Sequence, residues 1–248
     1  MTLRDSDFWV QAFQRNAESL LEIPWHEGVT LTDAERRPLA PPLPAWKLGE
    51  SSDGRHLLLA ATRHAEQTGD LDFVHAIRLL IGEEQRHGAD LGRALDLAGI
   101  PRKTWDWGDA IFRLFRHLRP RIELSATVIV AVEILAIVYY AAVRRAVSSP
   151  VLRRICEQIL RDEPRHLRFQ SERMTILWRD RSASLRAFSL FGQRFVFLGT
   201  LLAVWVGHRR VLKADGLTFR RYWRTVWNHF HRVSRVWRMA PKECSQIS

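Results

Sequence analysis

Apolar residues recur at helical spacing along most of the chain, and the strict alternation typical of strands is rare. The pattern predicts a short helix over residues 5–21. Prolines and a glycine exclude long regular structure over residues 23–46, which we expect to form an extended strap. Helical periodicity resumes over residues 44–68, stops at a Thr-Gly-Asp turn, and starts again over residues 71–98. These last two segments predict one helical hairpin.

A second hairpin is predicted after the connector of residues 101–120, which contains the helix-like stretch WGDAIFRLFRHL. Residues 121–146 contain a long apolar stretch between Glu123 and Arg144. The sequence Ser148-Ser149-Pro150 then breaks the chain, with a serine suited to cap the next helix and a proline suited to its first turn. The fourth helix extends to about Arg179. Two hairpins joined by a long crossover predict an all-α four-helix bundle.

The C-terminal third contains two further helical segments. Residues 195–206, FVFLGTLLAVWV, are uncharged and apolar but shorter than the roughly twenty positions that span a bilayer. We expect a buried fifth helix there, with a monotopic membrane contact as the alternative. Residues 218–238 alternate basic and aromatic side chains, and Trp223, Trp227 and Phe230 share one helical face. That face can pack on the bundle or on a second subunit, lie on an anionic membrane, or, as the least favoured option, follow a nucleic-acid backbone.

Charge and cysteine content narrow the setting. The net charge is +11, and the excess belongs to residues 209–238, which hold nine Lys or Arg and one acid. Two cysteines are too few for a disulfide framework, and the opening residues, MTLRDSDFWV, lack a secretory pattern. We therefore expect a cytoplasmic protein, with peripheral contact at the inner membrane face through residues 195–238 as an open alternative.

Two short motifs carry the candidate chemistry. Residues 83–87 read EEQRH and residues 162–166 read DEPRH, so in each a Glu precedes a His by three positions on one helix face. Such pairs also arise by chance, and their surroundings decide their meaning. Glu133 is the only charged residue between Glu123 and Arg144. A carboxylate there loses its hydration unless it is neutralised, paired or bound to a metal; the competing interpretation is a polar residue in a membrane span.

The turns place these residues in register. Two residues of an antiparallel hairpin lie level when their midpoint falls on the turn. The midpoint of Glu133 and His166 is 149.5, at the break between the third and fourth helices. The midpoint of Glu50 and His87 is 68.5, at the turn of the first hairpin. Each motif is therefore expected to face a glutamate on the other helix of its hairpin.

Four carboxylates and two imidazoles are thus predicted to share the bundle interior. Packed carboxylates repel one another unless cations lie between them, and an oxygen-rich set with two imidazoles suits iron or manganese. Two divalent ions balance four negative charges. Asp53, one turn from Glu50, stays open as the alternative ligand, because Gly49 and Gly54 weaken the helix there. The candidate ligands are Glu50, Glu84, His87, Glu133, Glu163 and His166.

This set resembles the ferritin-like di-iron carboxylate superfamily, in which two helices each supply a Glu and two others each supply a Glu-x-x-His motif. In detail, WKLGESSDG followed by IGEEQRHGADL looks like a bacterial ferritin-like subgroup. The resemblance covers residues 44–179. It implies a ferritin-like bundle holding two iron ions, with manganese as an alternative, bridged by Glu84 and Glu163.

The resemblance also assigns the remaining ligands, with Glu50 and His87 on one ion and Glu133 and His166 on the other. Metal-bound histidines usually donate their second ring N–H to an acceptor. Acids one turn away or beside a ligand can accept it, although a surface position is the commoner fate, and a nearby tyrosine can line a pocket or simply pack in the core. The candidates for this outer layer are Asp90, Asp162 and Tyr140.

The expected function is a di-metal oxidoreductase that uses O2 to oxidise or hydroxylate a small-molecule or lipid-like substrate. Iron oxidation with sequestration, peroxide removal, and quinol oxidation at a membrane are the alternatives. No catalytic group is assigned beyond the metal ligands, and a homodimer stays an open alternative. We expect residues 1–42 to form the N-terminal helix and strap, 43–180 the bundle, and 181–248 the C-terminal helical extension.

Overall fold

The computed structural model of the chain describes residues 3–108, 110, 122–179 and 181–237. Within these ranges the backbone is helical or in turns and loops, and no described residue lies in a strand, which confirms the all-α class. The helices, numbered in chain order, are α1 (Ser6–Ala17), α2 (Asp33–Leu39), α3 (Leu43–Glu50), α4 (Arg55–Thr68), α5 (Leu71–Leu97), α6 (Ile122–Ala146), α7 (Pro150–Leu177), α8 (Ala183–Ala214) and α9 (Phe219–Val236), with a 3₁₀ turn at Trp25–Glu27.

Helices α4 to α7 form the predicted four-helix bundle. Helix α4 packs on α5 and α6 packs on α7, and the two hairpins meet through contacts of α5 with α7 and of α4 with α6. The interface of α6 and α7 is closely packed by aliphatic side chains such as Leu135, Ile155 and Ile159. The crossover lies between α5 and α6. Most of its predicted helix, WGDAIFRLFRHL, lies outside the described residues.

Both hairpin turns lie where the sequence predicts them. Helix α4 ends at Gly69, whose φ of 77° is the left-handed conformation that glycine adopts without strain. Asp70 then caps α5, because its Oδ1 accepts a hydrogen bond from the backbone N–H of Phe73 at 3.0 Å. At the second turn Pro150 opens α7 as expected. Ser149 occupies the cap position, but its side chain makes no capping hydrogen bond, which corrects that detail.

The first bundle helix is divided into two. A single helical segment was expected over residues 44–68, whereas the structure has α3 and α4 separated by Gly54. Gly54 has a φ of 64°, and a Cβ at this position would lie 2.5 Å from Ile81 Cδ1. Only glycine fits this turn. The break leaves Glu50 at the C-terminal end of α3 instead of in a helix interior.

The N-terminal strap is more regular than expected. Its prolines do exclude a long helix, but the short helix α2 forms within it. Thr32 and Glu35 make a capping box at the start of α2, in which Thr32 Oγ1 accepts from the Glu35 N–H and the Glu35 carboxylate accepts from the Thr32 N–H. Local capping therefore produces one helix where composition alone predicted extended chain.

Helix α1 packs on α5 and contributes to a second core cluster. Trp9 and Phe13 lie against Phe169 of α7 at ring-centroid distances of 5.4 and 5.5 Å. The ring of Phe13 is also 6.0 Å from that of His166. The N-terminal helix thus covers the bundle beside one of the predicted metal ligands.

Helix α8 is longer and more exposed than the buried fifth helix expected at residues 195–206. It packs on α6, and its inner residues Phe197, Leu201 and Val204 are buried in the core, but its outer face is open. Two stretches, Ala126–Ala146 and Ala183–Ala214, are long and apolar enough to cross a membrane by length and composition. The most apolar window of the first is 78% buried within the protein and that of the second 28%. Glu133 therefore lies in a core helix of the bundle.

The aromatic face of α9 packs mainly on the protein itself. Phe230 is 2% exposed and stacks on Phe197 of α8, with ring centroids 4.3 Å apart. Trp223 and Trp227 are half-buried and stacked on each other at 5.7 Å. Most of the aromatic surface that the sequence offered to a membrane or to nucleic acid thus forms intramolecular contacts.

Candidate metal centre

The six predicted ligands come together from four helices. Five of them are at most 8% exposed, and Glu84 is half-buried. Helix α7 continues through Pro164, so the second motif stays helical. The positions are Glu50 at the end of α3, Glu84 and His87 on α5, Glu133 on α6, and Glu163 and His166 on α7.

A glycine allows α3 to approach the first motif closely. A Cβ at Gly88 would lie 2.7 Å from Ser51 Oγ and 3.2 Å from the carbonyl carbon of Glu50. A side chain at position 88 would therefore collide with the end of α3. Glycine lets the end of α3 pack directly on the turn of α5 that carries His87.

The ligand atoms form two groups that share Glu84. Within each group, one donor atom from each residue lies within 4.8 Å of the others. Glu163 belongs to neither group, but it is buried close enough for its charge to act on carboxylates of both. The first group is Glu50, Glu84 and His87, and the second is Glu84, Glu133 and His166.

Several oxygen and nitrogen atoms of this cluster that could bind a metal ion are buried without a hydrogen-bond partner among the described residues. They are both carboxylate oxygens of Glu133, Oε2 of Glu163, and Nδ1 of His87 and of His166. Buried polar atoms are normally paired, because burial without a partner is costly. Eleven other buried polar atoms of the described residues also lack a partner, but these five are gathered on residues expected to bind metal.

One close contact also has the spacing expected of two atoms that bind the same metal ion. Nδ1 of His166 lies 2.8 Å from Oε1 of Glu84 without the geometry of a hydrogen bond. Two donor atoms about 2.1 Å from one ion and at right angles around it are about 3.0 Å apart. The residues present thus fit divalent ions in donor type and donor number, and this contact fits them in spacing.

Each histidine contacts a carboxylate of the opposite hairpin through its other ring nitrogen. Nε2 of His87 lies 2.9 Å from Oδ2 of Asp162, and Nε2 of His166 lies 2.7 Å from Oε2 of Glu83. Each acid directly precedes the glutamate of its own motif, so α5 and α7 exchange the same contact. When Nε2 carries the proton and donates it to the carboxylate, Nδ1 is left as an acceptor for a metal ion.

A single amide joins the two carboxylates. Asn16, at the end of α1, donates through Nδ2 to Oε1 of Glu83 at 2.6 Å and to Oδ1 of Asp162 at 2.8 Å. Nε2 of Gln158 and the guanidinium of Arg86 also donate to Asp162, at 2.9 and 2.8 Å. Helix α1, in which the sequence indicated no chemistry, therefore supports the partners of both histidines.

Of the three residues expected to support the ligands, Asp162 and Tyr140 contact ligand candidates and Asp90 is replaced in that role. His87 contacts Asp162 instead of Asp90, because Asp162 is fully buried against the imidazole whereas Asp90 is half-buried elsewhere on α5. Tyr140 donates its hydroxyl to Oε1 of Glu50 at 2.7 Å. Asp53 is mostly exposed and pairs with Arg55 at 3.1 Å, so Glu50 is the acid that joins the cluster.

The cluster retains protons when no cation is bound. Burial raises the pKa of Glu133 to about 8. Burial and the neighbouring charge of Glu84 raise the pKa values of Glu50 and Glu163 well above their usual range. Burial also disfavours a charge on His166, but contacts with two glutamates outweigh it and raise its pKa. Burial likewise opposes ionisation of Glu84, yet the contact with His166 prevails and its pKa is lowered.

A cavity of about 240 Å³ adjoins the cluster. Three of the acids, Glu50, Glu84 and Glu133, form part of its wall. The rest of the wall includes apolar side chains from α5, α6 and α8, with polar residues of the α3–α4 turn. A largely apolar space beside a set of polar groups is typical of a small-molecule site. The apolar residues are Leu80, Ile81, Val128, Ile129, Val132, Ala203 and Val204.

Two solved structures share this fold along nearly the whole chain. Both are variants of an R2-like ligand-binding oxidase with an aerobically reconstituted Mn/Fe cofactor. Their TM-scores are 0.65 and 0.63, with 17% and 16% sequence identity over 94% of this chain and 93% and 94% of theirs. The chain therefore has the ferritin-like fold of those oxidases. No protein-family model and no curated protein sequence matches it.

Two residues that contact the candidate site, Glu83 and Asn16, were missed from sequence. Glu83 had a usable signal, since an acid precedes the motif glutamate in both EEQRH and DEPRH. Asn16 had none, because it is one polar residue of a short amphipathic helix and its partners lie 67 and 146 positions away.

The raised pKa of Glu133 predicts a pH dependence of the metal-free protein. Between the unfolded value of 4.5 and the folded value of about 8, Glu133 binds more protons in the folded state, so its contribution to the free energy of unfolding falls as pH rises. Glu133→Gln removes this titration while keeping the volume. We expect a flatter stability curve between these pH values for Glu133→Gln than for the wild-type protein, measured by denaturant unfolding after chelation. Parallel curves would contradict the assignment.

The bridging amide predicts a specific stability loss. Asn16→Leu keeps a similar volume but leaves Glu83 without its amide donor, so we expect a loss of about 1–3 kcal/mol in the free energy of unfolding. Gln14→Leu, at an exposed position of the same helix, is the matched control and should change little. Equal effects of the two substitutions on denaturant unfolding would show that the amide bridge has no energetic role.

Proposed function

We propose that the six clustered residues bind two divalent ions, iron in both sites or manganese and iron. The observation that carries this proposal is the set of unpaired donor atoms on Glu133, Glu163, His87 and His166, gathered beside Glu84 in the bundle interior. Four carboxylates neutralise two divalent ions, and the mixture of oxygen donors with two imidazoles suits these metals. The Mn/Fe cofactor of the two similar structures gives further support.

Each residue has a distinct role in this proposal. Glu84 belongs to both groups of donor atoms and would bridge the ions, and Glu163, whose charge acts on carboxylates of both groups, would be the second bridge. Glu50 and His87 complete one site, and Glu133 and His166 complete the other. The carboxylates of Asp162 and Glu83, together with Asn16, hold the two imidazoles so that Nδ1 of each would face an ion.

The proposed activity is the oxidation or hydroxylation of an apolar small molecule with O2. The metal pair, when bound, supplies the reduction of O2. The protein supplies a cavity of about 240 Å³ whose wall includes three of the ligand carboxylates, so a substrate there lies next to the site of oxidation. The apolar wall limits access of bulk water and selects molecules of low polarity.

Iron sequestration and peroxide removal need the same cluster but no space for an organic molecule. The cavity therefore favours an oxidase over either of them. Quinol oxidation at a membrane is the second candidate, since a quinol is an apolar substrate and α8 exposes a long apolar face.

The proposal is tested by loading the metal-free protein anaerobically with Fe²⁺, removing unbound metal, and measuring the metal content. We expect about two ions per chain in the wild-type protein. Because Glu84 takes part in both groups, Glu84→Gln should lose both ions. Glu66→Gln, an exposed position on α4, is the control and should retain both. Circular dichroism checks that the variants are folded, and wild-type protein that retains no metal would refute the proposal.

Aerobic titration with excess Fe²⁺ separates the oxidase from a storage protein. An oxidase stays at about two ions per chain, since it has no compartment for a mineral. Continued uptake beyond this ratio would instead show sequestration.

A further inference from the structure

The outer face of α8 carries an unpartnered apolar stripe. Its members are spaced by three, four, seven and four positions, which places them on one side of the helix. Three phenylalanines dominate it, with exposures of 67–74%. From the first to the last residue the stripe is about 27 Å long at 1.5 Å per residue. The stripe consists of Phe188, Phe191, Phe195, Leu202 and Val206.

The stripe is separate from the faces of α8 that pack in the protein. Phe197, Leu201 and Val204 point to the core, and Trp205 contacts Phe219 and Tyr222 of α9. Exposed apolar patches of this length on soluble proteins mark interaction surfaces. Something outside the described part of the chain must therefore cover the stripe.

The charge around the stripe identifies what covers it. Between Ala183 and Val236 there are ten Lys or Arg residues and a single acid, Asp215. Asp215 is already bound, because both of its carboxylate oxygens accept hydrogen bonds from Arg145 at 2.6 Å. The surface formed by α8 and α9 is thus strongly cationic. A second copy of this face would meet like charge, whereas an anionic lipid surface would meet opposite charge.

The C-terminal end of the stripe fits a lipid surface as well. Arg209 and Lys213 follow Val206 at helical spacing on the same side of α8, and both are exposed. Five arginines are exposed along α9, and no ion pair involves them within the described residues. Apolar side chains that enter the acyl region, flanked by cations at the headgroups, are the pattern of a helix that lies in the membrane interface. The five are Arg220, Arg221, Arg224, Arg232 and Arg235.

We propose that the apolar stripe of α8 docks this protein on an anionic lipid bilayer as a monotopic membrane protein. Helix α8 lies in the plane of the interface and does not cross it, because its inner face stays packed on α6. A cytoplasmic protein would then be held at the inner face of the membrane. The same helix forms one wall of the cavity through Thr200, Ala203 and Val204, so docking brings the cavity close to the lipid. The proposal does not depend on metal binding.

Flotation of the purified full-length protein with vesicles tests the proposal. Vesicles of phosphatidylcholine mixed with phosphatidylglycerol should bind the wild-type protein, and vesicles of phosphatidylcholine alone should bind it at least about tenfold more weakly, since each basic residue near an anionic surface contributes to binding. The triple variant Phe188→Gln, Phe191→Gln, Phe195→Gln should bind the mixed vesicles at least about 100-fold more weakly than the wild type does, because three large apolar side chains no longer enter the bilayer. Leu71→Gln, at a position 75% exposed on α5, is the control and should bind as the wild type does.

Two further measurements distinguish other occupants of the stripe. Sedimentation velocity reports a second copy: a dimer that the triple variant abolishes would overturn the proposal. Thermal unfolding reports coverage by another part of this chain, because polar side chains in a buried contact would lower the melting temperature by several degrees, and that result would also overturn it. An unchanged melting temperature with lost vesicle binding is the expected outcome. Wild-type protein that binds neither kind of vesicle would refute membrane docking outright.

Discussion

The burial of acidic groups inside an apolar bundle is the constraint on which the rest of this structure depends. Glu133 and Glu163 are at most 4% exposed and retain unpaired oxygens, and two histidines keep an unpaired nitrogen beside them. Removing such groups from water costs several kcal/mol each unless cations or protons compensate them. Without metal, protons compensate them, as the raised pKa values of Glu50, Glu133 and Glu163 indicate. Two divalent ions would compensate the same charges and organise the site.

The surroundings of the cluster keep the imidazoles in place without any metal. Helices α5 and α7 exchange equivalent contacts, His87 with Asp162 and His166 with Glu83, and Asn16 links the two acids. A tautomer fixed in this way presents the same ring nitrogen to each site. Because Asn16 belongs to α1, the N-terminal helix is part of the site's support as well as a cover for the aromatic core.

Much of the bundle and of the cluster could be predicted from the sequence, because both turns had clear signals. Gly69 and Pro150 fixed the register of the two hairpins, and the isolated Glu133 identified the interior position that needs compensation. Features that depend on tertiary contacts were not predictable in the same way. The long-range bonds of Asn16 and the contact of His87 with Asp162, one of the predicted supporting acids, depend on neighbours distant in sequence. The capping box of Thr32 and Glu35 is instead a local signal of a helix start, which the prediction of an extended strap did not use. The exposure of α8 was also not predicted, since an apolar segment of this length is equally typical of a core helix and of a surface helix.

The most direct test of the metal centre is anomalous diffraction at the iron absorption edge from crystals of the protein loaded with Fe²⁺. Two peaks about 3.5–4 Å apart are expected. One should lie among Glu50, Glu84 and His87 and the other among Glu84, Glu133 and His166. An interior without anomalous density, with those side chains paired to protein groups instead, would contradict the metal site.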